Sequence, residues 1–202
     1  MRWPRMSSFN TRSSCSPQAT ADWNVWRPAD GYHAVNLPAL PIILGFVIGQ
    51  RLGELWLARR NTVRLRGQGA VEVGAAHYPL FILLHSAWII AIAVFVPINA
   101  VPNLPLLALF LLLQFGRVWV IASLGRYWTT RVITLPGANL VRYGPFRFIR
   151  HPNYLIVALE IAVLPLVFGA WEIAAIFSLL NASLILHRVR VENDALAARR
   201  DT

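Results

Sequence analysis

Apolar residues crowd into five stretches of the chain, at roughly 37–57, 78–98, 104–124, 153–170 and 171–188. Each is near or just under the ~20 residues that carry an α-helix across a bilayer. Buried helices of a soluble all-helical protein normally keep one polar face, which these stretches do not present. No alternation of strands with helices runs through them, so a doubly wound nucleotide-binding sheet is excluded. Gly67-Gln-Gly69 is an isolated glycine pair, not a full dinucleotide fingerprint. The last two stretches are separated by little more than Gly169-Ala170, which predicts a tight helical hairpin. The expected fold class is therefore all-α: a polytopic membrane helix bundle of about five transmembrane helices, ending in that hairpin. Residues 1–36 carry Ser, Arg and Pro without helical periodicity and are expected to be a disordered tail. The membrane domain is expected to occupy 37–202.

Composition strengthens this picture. The mean hydropathy is +0.51 and 56% of residues are hydrophobic, against ~45–50% for an ordinary soluble domain. All 19 basic residues are arginine. Most gather at 59–66, 126–150 and 188–200, whereas the connections near 99–103 and 169–171 have none. The positive-inside tendency makes the three arginine-rich segments cytoplasmic, with an external N-terminus and a cytoplasmic C-terminus. Arg2, Arg5, Arg12 and Arg27 in the tail pull against that orientation. The net charge of +10 lies at membrane boundaries, where anionic headgroups account for it, so no nucleic-acid partner is expected. The lone Cys15 allows neither a disulfide framework nor a cysteine metal site, and no metal is expected.

Two polar clusters flank the hairpin. Ahead of it, residues 142–154 read RYGPFRFIRHPNY. Arg147, Arg150 and His151 can donate hydrogen bonds to an anion, while Tyr143, Phe146 and Tyr154 offer aromatic faces. Pro152 suits the first turn of the following helix, whose N-terminus favours negative charge. After the hairpin, Arg188 and Glu192 are four apart and share one helix face. The hairpin returns both clusters to one membrane surface, where they can converge on one ligand. Other polar groups lie within the spans: Arg51, Glu54, His85, Gln114, Arg117, Glu160 and Asn181. Such groups usually face the bundle interior and are candidates for function. Arg51 and Glu54 are spaced to neutralise each other, and His85 and Asn181 read as interhelical hydrogen-bond partners rather than catalysts. Glu160 has no charge partner nearby in sequence, which makes it a candidate substrate contact or a carboxyl held neutral by burial.

Together these residues resemble the isoprenylcysteine carboxyl methyltransferase family of integral membrane enzymes. The matching pieces are Leu124-Gly125, Trp128-Thr129, Leu140-Val141, Gly144, Phe146, Arg150-His-Pro-Asn-Tyr154, and Arg188 with Glu192. The resemblance spans roughly residues 78–196. It implies S-adenosylmethionine as cofactor, held by Leu140, Val141, Phe146, His151, Pro152, Asn153, Tyr154 and Glu192, and the Arg150 cation suits that cofactor's carboxylate. Arg188 would orient the nucleophile, and Glu160 is the second candidate for a catalytic role. The implied reaction is methyl transfer to a carboxylate or hydroxyl of a lipophilic acceptor drawn from the membrane lipid. No obligate protein partner is implied. The family often has two adjacent acids after the arginine, whereas Asn193 follows Glu192 here, and the longer aromatic extension of eukaryotic members is missing. His77-Tyr-Pro79 and Leu135-Pro-Gly137 are closer to short bacterial members associated with alkylpyrones or alkylated phenols. Two alternatives remain at the level of sequence: an NADPH-dependent sterol-reductase-like enzyme, and a non-enzymatic small membrane protein.

Overall fold

The computed structural model describes residues 38–73, 78–135, 137 and 141–197. The expectations for the 1–36 tail and for Leu140 lie outside the described residues. The described residues form five α-helices: α1 (Ala39–Gly67), α2 (Tyr78–Phe95), α3 (Leu104–Leu124), α4 (Pro152–Val167) and α5 (Trp171–Ala197). All five expected apolar helices are present. Four are long and apolar enough to cross a membrane, and α4, at 16 residues, is shorter.

Two helices run further than hydropathy alone predicts. α1 continues through Arg59, Arg60, Arg64 and Arg66 to Gly67, and α5 continues through Arg188 and Glu192. Arginine is a good helix former, so the backbone ladder continues where hydropathy falls. At ~1.5 Å per residue, either helix outreaches the ~30 Å hydrocarbon layer. Their polar ends therefore stand clear of it.

Local signals set the other boundaries. The Asn103 side chain caps α3 by accepting from Leu106 N at 3.1 Å, satisfying one of the free first-turn donors. α3 stops at Gly125, where φ is +49°. Pro152 opens α4 at its first position, where no backbone donor is lost. The hairpin turn closes through Gly169 at φ +74°, with Ala170 N donating to Pro165 O at 3.0 Å.

Hydropathy did not reveal a small sheet outside the helices. β1 (Val71–Val73) pairs antiparallel with β2 (Val132–Thr134), joining Val71 to Thr134 and Val73 to Val132. This ribbon ties the connection after α1 to the connection after α3. At the opposite end, Asn103 N donates to Val167 O at 2.8 Å, so the two arginine-free connections meet. The described parts of the three arginine-rich segments thus share one end of the bundle, and the bare turns share the other.

The core lies between the helices. Trp88 and Ile92 of α2, Phe110 of α3, and Ile161 and Leu164 of α4 are almost wholly enclosed. α4 packs on both α3 and α5. Gly116 lets Ile156 close against α3, since a Cβ there would meet Ile156 Cδ1 at 3.3 Å. A second, smaller cluster of Ala58, Val120 and Trp128 holds the arginine-rich end together.

A neutral polar cluster is buried in the apolar interior. Arg117 donates to both carboxylate oxygens of Glu54 and, at 2.8 Å, to Glu160 Oε2. Arg51 donates to Glu160 Oε2 at 2.6 Å and to Glu54 Oε2 at 3.2 Å. Gln50 reaches Glu54 at 3.1 Å, and Gln114 reaches Glu160 Oε1 at 3.0 Å. Two guanidinium groups thus balance two carboxylates across α1, α3 and α4. Arg51 and Glu54 do neutralise each other, but as half of a four-membered network.

Candidate functional site

The structure places the two polar clusters together. Tyr154 OH donates to Glu192 Oε2 at 2.5 Å, and Arg188 Nε donates to Tyr154 OH at 2.9 Å. Arg188 and Glu192 share a helix face as expected, yet they are linked through the Tyr154 phenol. His151 Nδ1 stands 3.9 Å from Glu192 Oε2. The His151 and Tyr154 rings are stacked, with centroids 5.5 Å apart. Arg188 is held further by Thr130 O at 2.6 Å, and its guanidinium lies 5.1 Å from the Phe81 ring.

This end of the bundle is fixed from below and above. Asn61 of α1 donates to Gly125 O at 3.0 Å and Trp128 O at 2.9 Å, anchoring the turn that leaves α3. Gly144, at φ +61°, presses the 142–150 segment onto α3. A Cβ there would collide with Ser123 Oγ and stand 3.4 Å from Trp119 Nε1. The β-ribbon is pinned by Glu72, which accepts from Arg66 and, at 2.7 Å, from Arg131. Arg131 also covers the Tyr78 ring at 4.6 Å, and Thr130 Oγ1 donates to Tyr78 OH at 3.1 Å.

A cavity of about 1170 Å³ opens here and continues along the inner faces of α1 and α2. Val141, Phe146, Arg150, His151, Pro152, Asn153, Tyr154, Arg188 and Glu192 all line it. Among these residues, His151 Nε2 and Asn153 Oδ1 are buried polar atoms without a hydrogen-bond partner, and so is Trp128 Nε1 of the facing wall. Buried polar atoms rarely stay unpaired, so these three are candidate contacts for a polar ligand. Deeper in, the walls become apolar, with Ile48, Leu52, Ile82 and Ile90. These four are 41–62% exposed.

Other candidates lie elsewhere. Glu160 is fully enclosed and absent from the cavity wall, with Arg51, Gln114 and Arg117 as partners. Tyr143 is 62% exposed and does not reach the cavity. His85 bonds within its own helix, to Phe81 O at 2.8 Å, and the buried Asn181 amide has no hydrogen-bond partner. The expected interhelical bonds of His85 and Asn181 are therefore corrected: His85 bonds to its own helix, and the Asn181 amide is unpaired.

Sequence reasoning missed Tyr78, Phe81, Thr130 and Arg131 as wall residues. A signal was present for the first two. Tyr78, Phe81 and His85 recur at helical spacing along α2, together with Ile82 and Ile89, and make one face of the cavity. Thr130 and Arg131 depend on a β-ribbon whose three-residue strands leave too short a pattern to read.

The sequence model of the isoprenylcysteine carboxyl methyltransferase family matches residues 106–198. The uncharacterized protein YpbQ of Bacillus subtilis (strain 168) is 38% identical over 159 residues, covering 77% of this chain and 95% of the relative. No solved structure matches. The matched segment contains every described residue of the Val141–Glu192 site, whereas Tyr78, Phe81 and His85 lie ahead of it.

Proposed function

Because this chain belongs to the isoprenylcysteine carboxyl methyltransferase family, and is thus a membrane methyltransferase, we propose that it moves a methyl group from S-adenosylmethionine to a carboxylate or hydroxyl of a lipophilic acceptor. The observation that carries this reading is the Arg188–Tyr154–Glu192 chain of hydrogen bonds, set where a polar cavity mouth meets an apolar interior.

The donor set fits the cofactor. S-adenosylmethionine brings an amino-acid head, an adenosine and a sulfonium, and therefore needs both donors and acceptors. His151 Nε2, Asn153 Oδ1 and Trp128 Nε1 supply unpaired polar atoms, and Arg150 supplies a cation for the carboxylate. Asn153 and Tyr154 lie in the first turn of α4, where N–H groups have no intrahelical acceptor. The Glu192 carboxylate and the Phe146 and Tyr154 rings favour a positive centre. Val141 and Pro152 add apolar wall, and Leu140 takes its place from the family pattern alone. When bound, the cofactor supplies an electrophilic methyl group.

The protein's contribution is placement. Arg188 is clamped by Thr130 O and Tyr154 OH, so its remaining donors are oriented before the acceptor arrives. It aligns an anionic acceptor oxygen, and such alignment accounts for much of the rate of a two-reactant transfer. The apolar walls receive the acceptor's hydrocarbon and exclude water. Glu160 serves this site indirectly, by neutralising Arg51 and Arg117. The arginine-rich end, and with it the cavity mouth and C-terminus, is assigned to the cytoplasmic side of a bacterial membrane.

Purified protein titrated with radiolabelled S-adenosylmethionine tests the assignment. His151→Ala and Glu192→Ala should each weaken binding by roughly 1–3 kcal/mol, about 5- to 150-fold. Unchanged affinity in both variants rejects the site.

A further inference from the structure

The last turns of α1 carry charge that the bundle does not neutralise. Arg59, Arg60 and Arg64 are exposed, whereas Ala58, Asn61, Thr62 and Leu65 of the same turns are buried. Arg66 differs, because it pairs with Glu72. No described residue forms an ion pair with Arg59, Arg60 or Arg64. The carboxylates described nearby are already engaged. Glu54 and Glu160 hold Arg51 and Arg117, Glu72 holds Arg66 and Arg131, and Glu192 accepts from Tyr154.

An apolar strip leads up to these cations on the same helix. Ile48, Leu52, Trp56 and Val63 are 41–66% exposed, and at ~3.6 residues per turn they share the outward face with Arg59 and Arg60. The Arg60 guanidinium lies 5.8 Å from the Trp56 ring, an aromatic group of the kind that marks a membrane surface. About 20 residues of helix cross the hydrocarbon layer. Counted from Ala39, Arg59 and Arg60 emerge at its edge, and Arg64 stands about one turn further out. Helical side chains tilt toward the N-terminus, which on α1 is back toward the bilayer. All three guanidinium groups can therefore reach the headgroup layer.

This surface matches a ligand with an anionic head and a hydrocarbon tail. A nucleic acid or an acidic protein segment would suit the arginines but not the apolar strip that runs into them.

We propose that the outward face of α1 binds an anionic membrane phospholipid, with its phosphodiester on Arg59, Arg60 and Arg64 and its acyl chain along Trp56, Leu52 and Ile48. Guanidinium groups suit this role, because their planar fork matches two phosphate oxygens at once. The site lies outside the segment matched to the family, which begins at residue 106. It stands apart from the methyl donor and the acceptor. On the opposite face of the same turns, Asn61 holds Gly125 O and Trp128 O. A headgroup seated on α1 thus sets the depth at which the turn leaving α3 meets the bilayer surface.

Native mass spectrometry of the full-length protein in detergent tests this, with phosphatidylglycerol and phosphatidylcholine of identical chains as probes. The wild type should bind its first phosphatidylglycerol more tightly than phosphatidylcholine. One arginine near an anionic headgroup contributes roughly fivefold in affinity. Arg60→Gln combined with Arg64→Gln should therefore lower the preference by up to about 30-fold. A second double variant, Arg126→Gln with Arg190→Gln, removes the same charge from other exposed positions at this end. It should keep most of the preference. Three results would each overturn the proposal. The wild type shows no preference, both double variants lose it equally, or soluble glycerol phosphate displaces the lipid. The second result reduces the arginines to a diffuse field, and the third makes the site one for free phosphate. Should the first double variant fail to fold, Arg59→Gln and Arg60→Gln singly decide, each expected to lower the preference by up to about fivefold.

Discussion

Tyr154 holds two side chains of α5 with one phenol oxygen, accepting from Arg188 and donating to Glu192. Tyr154→Phe removes both bonds without removing the ring. Hydrogen bonds to charged groups are worth ~1.5–3 kcal/mol, so activity should fall about 10- to 100-fold. The variant should fold, which circular dichroism in detergent checks alongside the rate. Arg188→Lys makes a different prediction. A flexible ammonium cannot hold Thr130 O and Tyr154 OH while also presenting a planar fork to the acceptor. Most activity should be lost while S-adenosylmethionine affinity, read by titration, is kept. Normal turnover by Arg188→Lys would remove it from the acceptor's side of the site.

At the scale of elements, the buried cluster joins α1, α3 and α4, and its value depends on staying balanced. Replacing one member leaves an unpaired charge in an apolar interior. Arg117→Ala should therefore destabilise the bundle by ~3–5 kcal/mol, read as an earlier unfolding midpoint in a denaturing-detergent titration. Glu160→Gln should act in the same direction, with lost activity following lost fold. If Glu160→Gln kept full stability but was inactive, a direct role in chemistry would replace the structural one. Gly144 tests the other wall. A Cβ there would strike Ser123 and sit in a backbone conformation that side chains rarely adopt. Gly144→Ala should therefore displace the 142–150 segment and weaken S-adenosylmethionine binding, while the unfolding midpoint of the bundle changes little.

For the whole molecule, the cavity has two ends of different character. Its mouth is lined by Arg150, His151 and Glu192, and its inner length by Ile48, Leu52, Ile82 and Ile90. The cofactor is expected from water and the acceptor from lipid. Each methylene moved from water into hydrocarbon contributes about 0.8 kcal/mol, so long-chain acceptors concentrate in the bilayer beside the enzyme. In liposomes with radiolabelled methyl donor, rate should follow acceptor concentration in the lipid phase. Short-chain analogues should be poor substrates at equal total concentration. Equal methylation of a water-soluble acceptor and its long-chain homologue would rule out lateral entry.

Sequence alone was enough for the helices, because span length and hydropathy are local properties of the chain. It was also enough for the pairing of residues 150–154 with 188–192. A hairpin that begins at one membrane surface must return to it, so the clusters at its two ends meet. The polar ends of α1 and α5 exceeded hydropathy's reach because arginine, although it leaves the bilayer, does not stop a helix. Tertiary structure decided the partners of isolated polar residues. Glu160 and Arg117 are 43 positions apart yet share a hydrogen bond, and Arg117 and Glu54 are separated by 63. Arg188 and Glu192 meet through Tyr154, 34 and 38 residues away. Spacing along one helix tells which residues share a face. Which groups that face meets depends on how helices pack, and residues distant in the chain determine that packing.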